Sequence, residues 1–208
     1  MKNILIANSK GGCGKTTLST NLAGYFANLG EHTVLADLDR QQSSSEWLAR
    51  RSSDLPTIHA FNPRDKVPMG IADWIITDSP AGFRDDKLSD AIKLADCILV
   101  PVQPSAFDIG AARDFLDLLR KEKAIRKNKT FVALVGTRIN YRTHSAVGLA
   151  DFMEQTELPI LAYLRNSQVY ITAAEQGLSI FDMRASLVSK DTEQWLPIID
   201  WINQTTKK

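Results

Sequence analysis

The sequence of 208 residues predicts an α/β fold: one domain, residues 1–208, with a doubly wound, mostly parallel sheet and helices on both faces. Three observations predict it. Short apolar segments alternate with amphipathic segments along the chain. The apolar segments are continuous, as in strands with both faces covered. A glycine-rich turn separates the first apolar segment from the first amphipathic one, at a strand end where such sheets bind ligands.

The order of the elements follows from the same patterns, beginning with the apolar run Ile4-Leu5-Ile6-Ala7. Strands are predicted at 3–8, 33–37, 74–78, 97–102, 130–136 and 159–163. Helices are predicted at 16–29, 42–51, 85–95, 106–124, 144–155, 168–176 and 189–203. Residues 51–71 are expected to be irregular, because Pro56, Pro63 and Pro68 surround a weak strand candidate at Thr57–Phe61.

Composition limits the classes to which the chain can belong. It is 44% hydrophobic and 24% charged, as in a globular domain with a sizeable core. The net charge is +1, so a nucleic-acid contact would need a local patch. Cys13 and Cys97 show no pairing pattern, which favours a reducing cytoplasm. No run reaches the roughly 18 apolar residues of a membrane span, and no signal peptide is expected before the first strand.

Residues 9–17, SKGGCGKTT, predict a phosphate cradle. The glycines free backbone N–H groups, and the positive end of the helix dipole points at the same site. Lys15 would reach the β- and γ-phosphates, and the Thr16 hydroxyl would bind Mg²⁺. The usual spacing is not met, because Ser9 replaces glycine and Lys10 lies five residues before Lys15. The predicted nucleotide-binding residues are Lys10, Gly11, Gly12, Cys13, Gly14, Lys15, Thr16 and Thr17.

The two-lysine segment resembles the deviant Walker A motif of the ParA/MinD family of ATPases. The resemblance implies ATP and Mg²⁺ as ligands, a homodimer that closes on ATP binding, and weak hydrolysis to ADP and phosphate that a partner stimulates. It also implies that Lys10 crosses the dimer interface to the partner's nucleotide, as an arginine finger does. The alternative is a solvated loop lysine beside an ordinary glycine turn.

Two acidic segments at predicted strand ends extend the resemblance. Residues 37–41, DLDRQ, are similar to the family's D-x-D-P-Q motif, with Arg40 in place of proline. The motif implies that Asp39 positions the attacking water, although the residues alone do not decide between Asp37 and Asp39. Asp78 looks like the Walker B carboxylate that holds Mg²⁺. The implied catalytic residues are Lys10, Lys15 and Asp39, and the implied metal ligands are Thr16, Asp39 and Asp78.

The later segments imply contacts with the base and with DNA. Arg138 lies where the family places base contacts, so it is the candidate for the adenine edge. Gly82 follows the Walker B strand in a turn that resembles a switch loop. Residues 164–178 resemble a stretch that contributes to dimerisation and non-specific DNA contact. The candidate DNA contacts are Arg165, Arg184 and Lys190, with Lys207 and Lys208 beyond them, and each could equally be a solvated charge.

The whole pattern is similar to small orphan ParA-type ATPases that position plasmids, chemoreceptor clusters or carboxysomes over the nucleoid. It implies a cytoplasmic, nucleoid-associated ATPase that binds DNA non-specifically and carries a cargo through an adaptor or ATPase-activating protein. Two alternatives stay open: a MinD-like membrane-associated regulator, and a metabolic enzyme of the dethiobiotin synthetase type. The apolar stripe of the last helix, Trp195, Ile198, Ile199 and Ile202, is expected to pack on the domain rather than on a membrane.

Overall fold

The computed structural model describes residues 1–61, 72–82 and 85–206. Within them, seven strands form one sheet in the order β3-β2-β4-β1-β5-β6-β7, and every neighbouring pair is parallel. This confirms the predicted α/β class and its parallel sheet. The strands are β1 Lys2–Ile6, β2 Thr33–Asp37, β3 Ile58–Ala60, β4 Trp74–Asp78, β5 Cys97–Val102, β6 Phe131–Ile139 and β7 Ile160–Arg165.

Helices cover both faces of the sheet. In the described ranges they are α1 Lys15–Asn28, α2 Ser43–Arg50, α3 Asp85–Leu94, α4 Ala106–Lys121, α5 Lys123–Arg126, α6 His144–Glu154, α7 Gln168–Glu175, α8 Ala185–Glu193 and α9 Leu196–Thr205. A 3₁₀ turn, Ile180–Asp182, lies between α7 and α8.

The prediction of one helix at 189–203 is wrong. Two helices, α8 and α9, occupy this region, and Pro197 lies in the first turn of α9. Proline lacks the N–H that a continuing helix needs, and its ring clashes with the preceding turn, but neither matters at a helix start. The helix predicted at 106–124 likewise ends at Lys121, because Glu122 has an extended backbone with a ψ of 132°.

Two strands differ from the predictions in length or position. The weak candidate at Thr57–Phe61 is the short strand β3, which lies at the edge of the sheet. The strand predicted to end at Gly136 continues to Ile139 after an irregularity in its pairing with β7. A glycine inside a strand often marks such a bulge. Pro63 and Pro68 lie outside the described residues.

The core has two parts, one on each face of the sheet. Ile4 and Ile6 of β1 join a cluster with α1, α2 and α9. Leu5, between them, joins a second cluster with α3, α4 and α6. Successive side chains of a strand point to opposite faces, so a continuous apolar run supplies both clusters at once.

The last helix contributes to the first of these clusters. Its apolar stripe is at most 4% exposed, which confirms that the stripe packs on the domain. The stripe consists of Trp195, Ile198, Ile199 and Ile202. None of the helices in the described ranges is both long enough and apolar enough to cross a membrane.

A buried ion pair fixes the end of α2. The Arg51 guanidinium donates to both carboxylate oxygens of Asp182, at 2.7 and 2.9 Å. The two side chains are 4% and 0% exposed. The backbone of Gly177 passes so close that an added Cβ would lie 2.6 Å from the Arg50 carbonyl carbon. These contacts tie α2 to the segment between α7 and α8.

Candidate functional site

The glycine-rich loop is clamped to the carboxyl ends of the neighbouring strands. The Asn8 amide donates to the Pro101 carbonyl at 2.8 Å, and the Thr137 hydroxyl donates to the Cys13 carbonyl at 2.7 Å. Gly14 has a φ of 103°, a left-handed conformation that glycine adopts without strain. The chain can therefore enter α1 at the next residue with the loop held between β5 and β6.

The start of α1 faces this loop without a capping side chain. The first N–H groups of a helix lack partners within the helix, and the helix dipole makes its start positive. An anion is the ligand that satisfies both features. Thr16 and Thr17, in this first turn, therefore lie where a phosphate group would accept their N–H groups.

The two lysines of the loop have different surroundings. Lys15 is 7% exposed, and its ammonium donates to the carbonyl of Lys10 at 2.8 Å. Lys10 is partly exposed, and its ammonium forms neither a hydrogen bond nor an ion pair with any described residue. Lys15 therefore points into the loop, while the charge of Lys10 has no partner among the described residues.

Cys13 and Gly82 also contact the loop. The Cys13 thiol is buried and donates to the Lys10 carbonyl at 3.2 Å, and burial raises the pKa of the thiol above its ordinary value. It is therefore a poor thiolate, and its backbone rather than its sulfur serves the loop. The Gly82 N–H donates to the Ser9 carbonyl at 2.9 Å, which joins the turn after β4 to the loop.

Asp78, at the end of β4, is the unusual group of the site. It is 1% exposed, and within the described part of the chain neither carboxylate oxygen has a hydrogen-bond partner. Burial raises its pKa from 3.8 to about 6, and the charge of Asp37 acts in the same direction, although the nearby hydroxyls of Thr16 and Ser44 partly oppose them. A buried charge is normally paired. The Lys15 ammonium acts on Asp78 only weakly, and no described residue forms an ion pair with it.

A magnesium ion fits this donor set. No group of three or more His, Cys, Asp or Glu side chains that could hold a metal lies in the described residues. Mg²⁺ is commonly held by one or two carboxylates together with substrate phosphates and water. Asp78 and the Thr16 hydroxyl supply oxygen ligands beside the loop that would hold those phosphates.

The geometry separates the two acidic residues that follow β2. Both carboxylate oxygens of Asp37 accept backbone N–H bonds, from Asp39 at 3.0 Å and from Ser45 in α2 at 2.9 Å. One oxygen of Asp39 accepts from the Gln41 N–H at 3.0 Å, and Asp39 lines the open cleft. Asp37 is thus engaged in holding the loop and α2, and Asp39 faces the solvent of the site.

A cleft of about 1400 Å³ includes the loop, Asp39 and the turn after β4. A second cleft of about 720 Å³ lies beyond the start of α1 and is bordered by Leu164, Asn166 and Tyr170. Arg138 borders both clefts and is exposed, with a φ of 52°. Asn166 was not singled out from the sequence, although its position directly after β7, at a strand end, was the available signal.

The three predicted DNA-contacting residues lie in two environments. Arg165 forms a two-bond bridge to the buried Asp191, at 2.8 and 2.7 Å, so most of its guanidinium joins β7 to α8. Arg184 and Lys190, at the start and within α8, are exposed. Lys207 and Lys208 lie outside the described residues.

The chain is similar in sequence to known nucleotide-binding proteins. The CobQ/CobB/MinD/ParA nucleotide binding domain matches residues 4–180. Maintenance of carboxysome distribution protein A of Halothiobacillus neapolitanus is 28% identical over 192 residues, 88% of each chain. Protein ParA of Rhizobium radiobacter is 27% identical over 177 residues, 77% of this chain and 76% of that one.

A solved structure shares the fold. An aspartate-to-alanine variant of McdA from Cyanothece, in complex with ATP, matches with a TM-score of 0.75 at 16% identity, covering 99% of this chain and 96% of that one. At this identity the match concerns the fold alone.

Proposed function

Because the chain belongs to the CobQ/CobB/MinD/ParA family of nucleotide-binding domains, we propose that it is an ATPase that dimerises on ATP, binds DNA non-specifically and positions a cargo over the nucleoid. The buried, unpartnered carboxylate of Asp78 beside the phosphate loop carries the nucleotide part of the proposal. The relative named for carboxysome distribution supports a carboxysome as cargo, and the ParA relative supports a plasmid.

ATP would bind with its phosphates in the glycine-rich loop. The Lys15 ammonium exchanges the Lys10 carbonyl for phosphate oxygens, and the first N–H groups of α1 donate to the same phosphates. Thr16 and Asp78 would hold Mg²⁺, which when bound supplies positive charge against the β- and γ-phosphate oxygens. The base would occupy the second cleft, beside Arg138 and Asn166.

Asp39 would orient the attacking water. Its neighbour Asp37 has both oxygens committed to backbone N–H groups, whereas Asp39 keeps an oxygen beyond the one that accepts from Gln41. Asp37 would hold the Asp39 loop at a fixed distance from β2. Positioning of this kind, with little covalent participation by the protein, is the ordinary contribution of side chains to phosphoryl transfer.

Lys10 would act on the nucleotide of a second protomer. Its ammonium is the charge on the loop that the described part of its own chain leaves unpartnered. A cation supplied in trans stabilises charge that grows on the transferred phosphoryl group. ATP would thereby join two protomers, and hydrolysis, stimulated by a partner protein, would separate them.

Closure of the dimer would also bring the candidate DNA-contacting residues of both protomers onto one particle. Arg184 and Lys190 are exposed in each protomer, so a dimer doubles the number of phosphates reached. Arg165 would contribute through the part of its guanidinium that Asp191 does not engage. Each phosphate contact adds about 0.9 to the slope of log affinity against log salt concentration. ATP is therefore expected to raise the affinity for duplex DNA of any sequence.

Light scattering on a sizing column tests the dimer. The parent and Asp39→Ala should dimerise with Mg·ATP, Asp39→Ala more persistently because it hydrolyses ATP slowly. Lys15→Gln should lose nucleotide binding. Lys10→Ala should bind ATP yet stay monomeric, and Lys93→Ala, which removes an exposed lysine paired with Asp90, is the matched control.

Two results would overturn parts of the proposal. A Lys10→Ala variant that dimerises as well as Lys93→Ala would remove the role of Lys10 in trans. Normal hydrolysis by Asp39→Ala would remove its role in positioning water. A gel shift on random duplex DNA with ATP, ADP and no nucleotide tests the DNA part, which fails if ATP gives no increase in binding.

A further inference from the structure

Residues 120–129 form the densest group of positive charge in the sequence. They contain six of the 25 Lys and Arg residues and one acidic residue, Glu122. All six are exposed, and Arg120 is paired with Asp117. We name the other five the basic knob: Lys121, Lys123, Arg126, Lys127 and Lys129. In a chain of net charge +1, such a group is a local patch on an otherwise balanced surface.

The basic knob is a folded element. It is built on the single turn of α5, and its backbone closes through bonds from the Lys127 N–H to the Lys123 carbonyl and from the Lys129 N–H to the Ala124 carbonyl, at 3.1 and 2.9 Å. Ala124 and Ile125 pack against the core on the inner side of the turn. The cations are therefore held together on its outer side.

The cations of the basic knob are unpaired. Two exposed neighbours on α3 and α4 have acidic partners one helical turn away, Lys93 with Asp90 and Arg120 with Asp117. In the described part of the chain, none of the five knob cations has an ion pair. Glu122, beside them, already accepts from the Ser89 hydroxyl at 2.7 Å. Like charges held close together repel, so a polyanion would be bound favourably.

The basic knob lies away from the nucleotide site. It precedes Phe131, the first residue of β6, which pairs with Cys97 at the amino ends of the strands. The glycine-rich loop, Asp39 and Asp78 all lie at the carboxyl ends. Because the strands are parallel, these are opposite edges of the sheet. A ligand of the knob would need neither nucleotide nor dimer closure.

Duplex DNA fits the basic knob better than a bilayer does. Duplex DNA presents one phosphate about every 1.7 Å of its axis, a charge density that suits five cations within nine residues. Four of the five are lysines, which act as point charges on phosphates and do not read bases. The apolar residues of the turn, Ala124 and Ile125, face the core, and Phe131 beside the knob is 41% exposed. A membrane-binding helix instead presents a whole apolar face to the lipid.

We propose that the basic knob binds the phosphate backbone of duplex DNA without regard to sequence or to bound nucleotide. The choice of DNA as the polyanion rests on the proposed function, while the surface itself does not. Binding at the knob would keep the separated, nucleotide-free protomer weakly associated with DNA. ATP-driven dimerisation would then add to a contact that is already present.

The test is the salt dependence of binding by nucleotide-free protein in EDTA, measured as fluorescence anisotropy of a short random duplex. Five phosphate contacts predict a Kd that rises roughly 500-fold between 50 and 200 mM salt. The triple variant K123Q/R126Q/K127Q leaves two contacts and predicts a rise of roughly 12-fold. The control triple K93Q/R113Q/R120Q removes the same charge from exposed cations that already have partners.

The outcomes separate the proposals. A control that changes the salt dependence as much as the knob variant would show an effect of net charge and overturn the proposal. The proposal would also be overturned if the parent protein did not bind the duplex without nucleotide. It would likewise be overturned if the knob variant lost binding to anionic vesicles or polyglutamate but kept its binding to DNA. Equal melting temperatures and ADP affinities verify the fold. ATP-dependent dimerisation of Asp39→Ala, measured separately, reports on the proposed function whatever the knob does.

Discussion

Two buried carboxylates show how the same side chain serves two purposes in this molecule. Asp182 accepts hydrogen bonds from Arg51, Asn28 and Ser179. Although burial raises its pKa, those bonds lower it below the ordinary value. Asp78 is equally inaccessible, has no hydrogen-bond partner in the described residues, and has a pKa raised to about 6. Residues of the chain itself therefore supply the hydrogen-bond donors of Asp182, whereas the carboxylate of Asp78 is left to bind a ligand.

The difference teaches where to look for function in this fold. A carboxylate surrounded by donors contributes to stability, and the protein gains by keeping it charged. A buried carboxylate without donors reduces stability, so the structure retains it for a reason outside the folded chain alone. Asp78 lies beside the glycine-rich loop, and Asp182 lies between helices far along the sequence. Removing the partner of Asp182 should therefore lower the stability of the protein, whereas removing the charge of Asp78 should raise it.

The largest expected effect on stability comes from breaking the Arg51–Asp182 ion pair. Arg51→Ala leaves Asp182 charged and buried without its main donor. The free energy of unfolding should fall by about 3–5 kcal/mol, as when one partner of a buried ion pair is removed. Urea denaturation at neutral pH measures it.

Arg120→Ala is the matched control for this measurement, because its bridge to Asp117 is more than half exposed on both sides. An exposed bridge contributes about 0–1 kcal/mol. If Arg51→Ala lost no more stability than Arg120→Ala, the Arg51–Asp182 pair would not be the stabilising element that its burial indicates.

The unsatisfied carboxylate should respond in the opposite direction. Its folded pKa of about 6 lies above the ordinary 3.8, so the parent protein loses stability as pH rises between these values. Asp78→Asn removes the charge and should stabilise the metal-free protein by roughly 3 kcal/mol at pH 7.5, with no gain below about pH 4. Urea denaturation in EDTA across this pH range gives the comparison.

The same Asp78→Asn variant should lose Mg²⁺-dependent nucleotide binding. A gain in stability with a loss of function is the pattern of a residue kept for its ligand. A gain that did not change with pH would contradict the assignment, because a packing effect is independent of the charge of the carboxylate.

The smallest expected effect comes from a carboxylate between these two extremes. Asp37 is partly exposed and accepts N–H bonds from Asp39 and from Ser45 in the first turns of α2. Asp37→Ala should lower the free energy of unfolding by about 1 kcal/mol, as the loss of a helix-capping group does.

Asp39→Ala provides the contrast to Asp37→Ala, since within the described residues the Asp39 carboxylate accepts one hydrogen bond, from the exposed Gln41 N–H. Its stability should stay within about 0.5 kcal/mol of the parent, while its ATP hydrolysis is lost. Thermal denaturation and phosphate release, measured on both variants, separate the two residues. Equal losses of stability would mean that both carboxylates hold the loop.

The sequence predicted those parts of the fold and site that depend on local pattern. The glycine-rich loop and Asp78 follow apolar strands, and parallel strand ends converge, so their proximity followed from the order of the elements. Pro197 also carried a local signal for the start of α9, but the apolar spacing through 195–202 concealed it. The bulge in β6 required the backbone of β7 and lay beyond any local pattern.

Charge pairing is where the sequence was least informative. Arg165 looks like a free surface cation in the sequence, and its bridge to Asp191 depends on the packing of α8 against β7. The basic knob is visible in the sequence as a cluster of Lys and Arg residues. Whether these cations form ion pairs depends on Asp and Glu residues of other helices and strands. Local patterns do not contain that information, because it arises from tertiary packing.

The Arg51–Asp182 bridge has a consequence for how the protein is made. Its two residues are 131 positions apart in the chain. A ribosome adding about 5–20 residues per second needs roughly 7–26 s to pass from one to the other. During that interval α2 has no anchor at its end, and the first core cluster lacks its last helix. A chain stalled before Asp182 would therefore be a good substrate for chaperones and proteases, even though its nucleotide loop has already been synthesised.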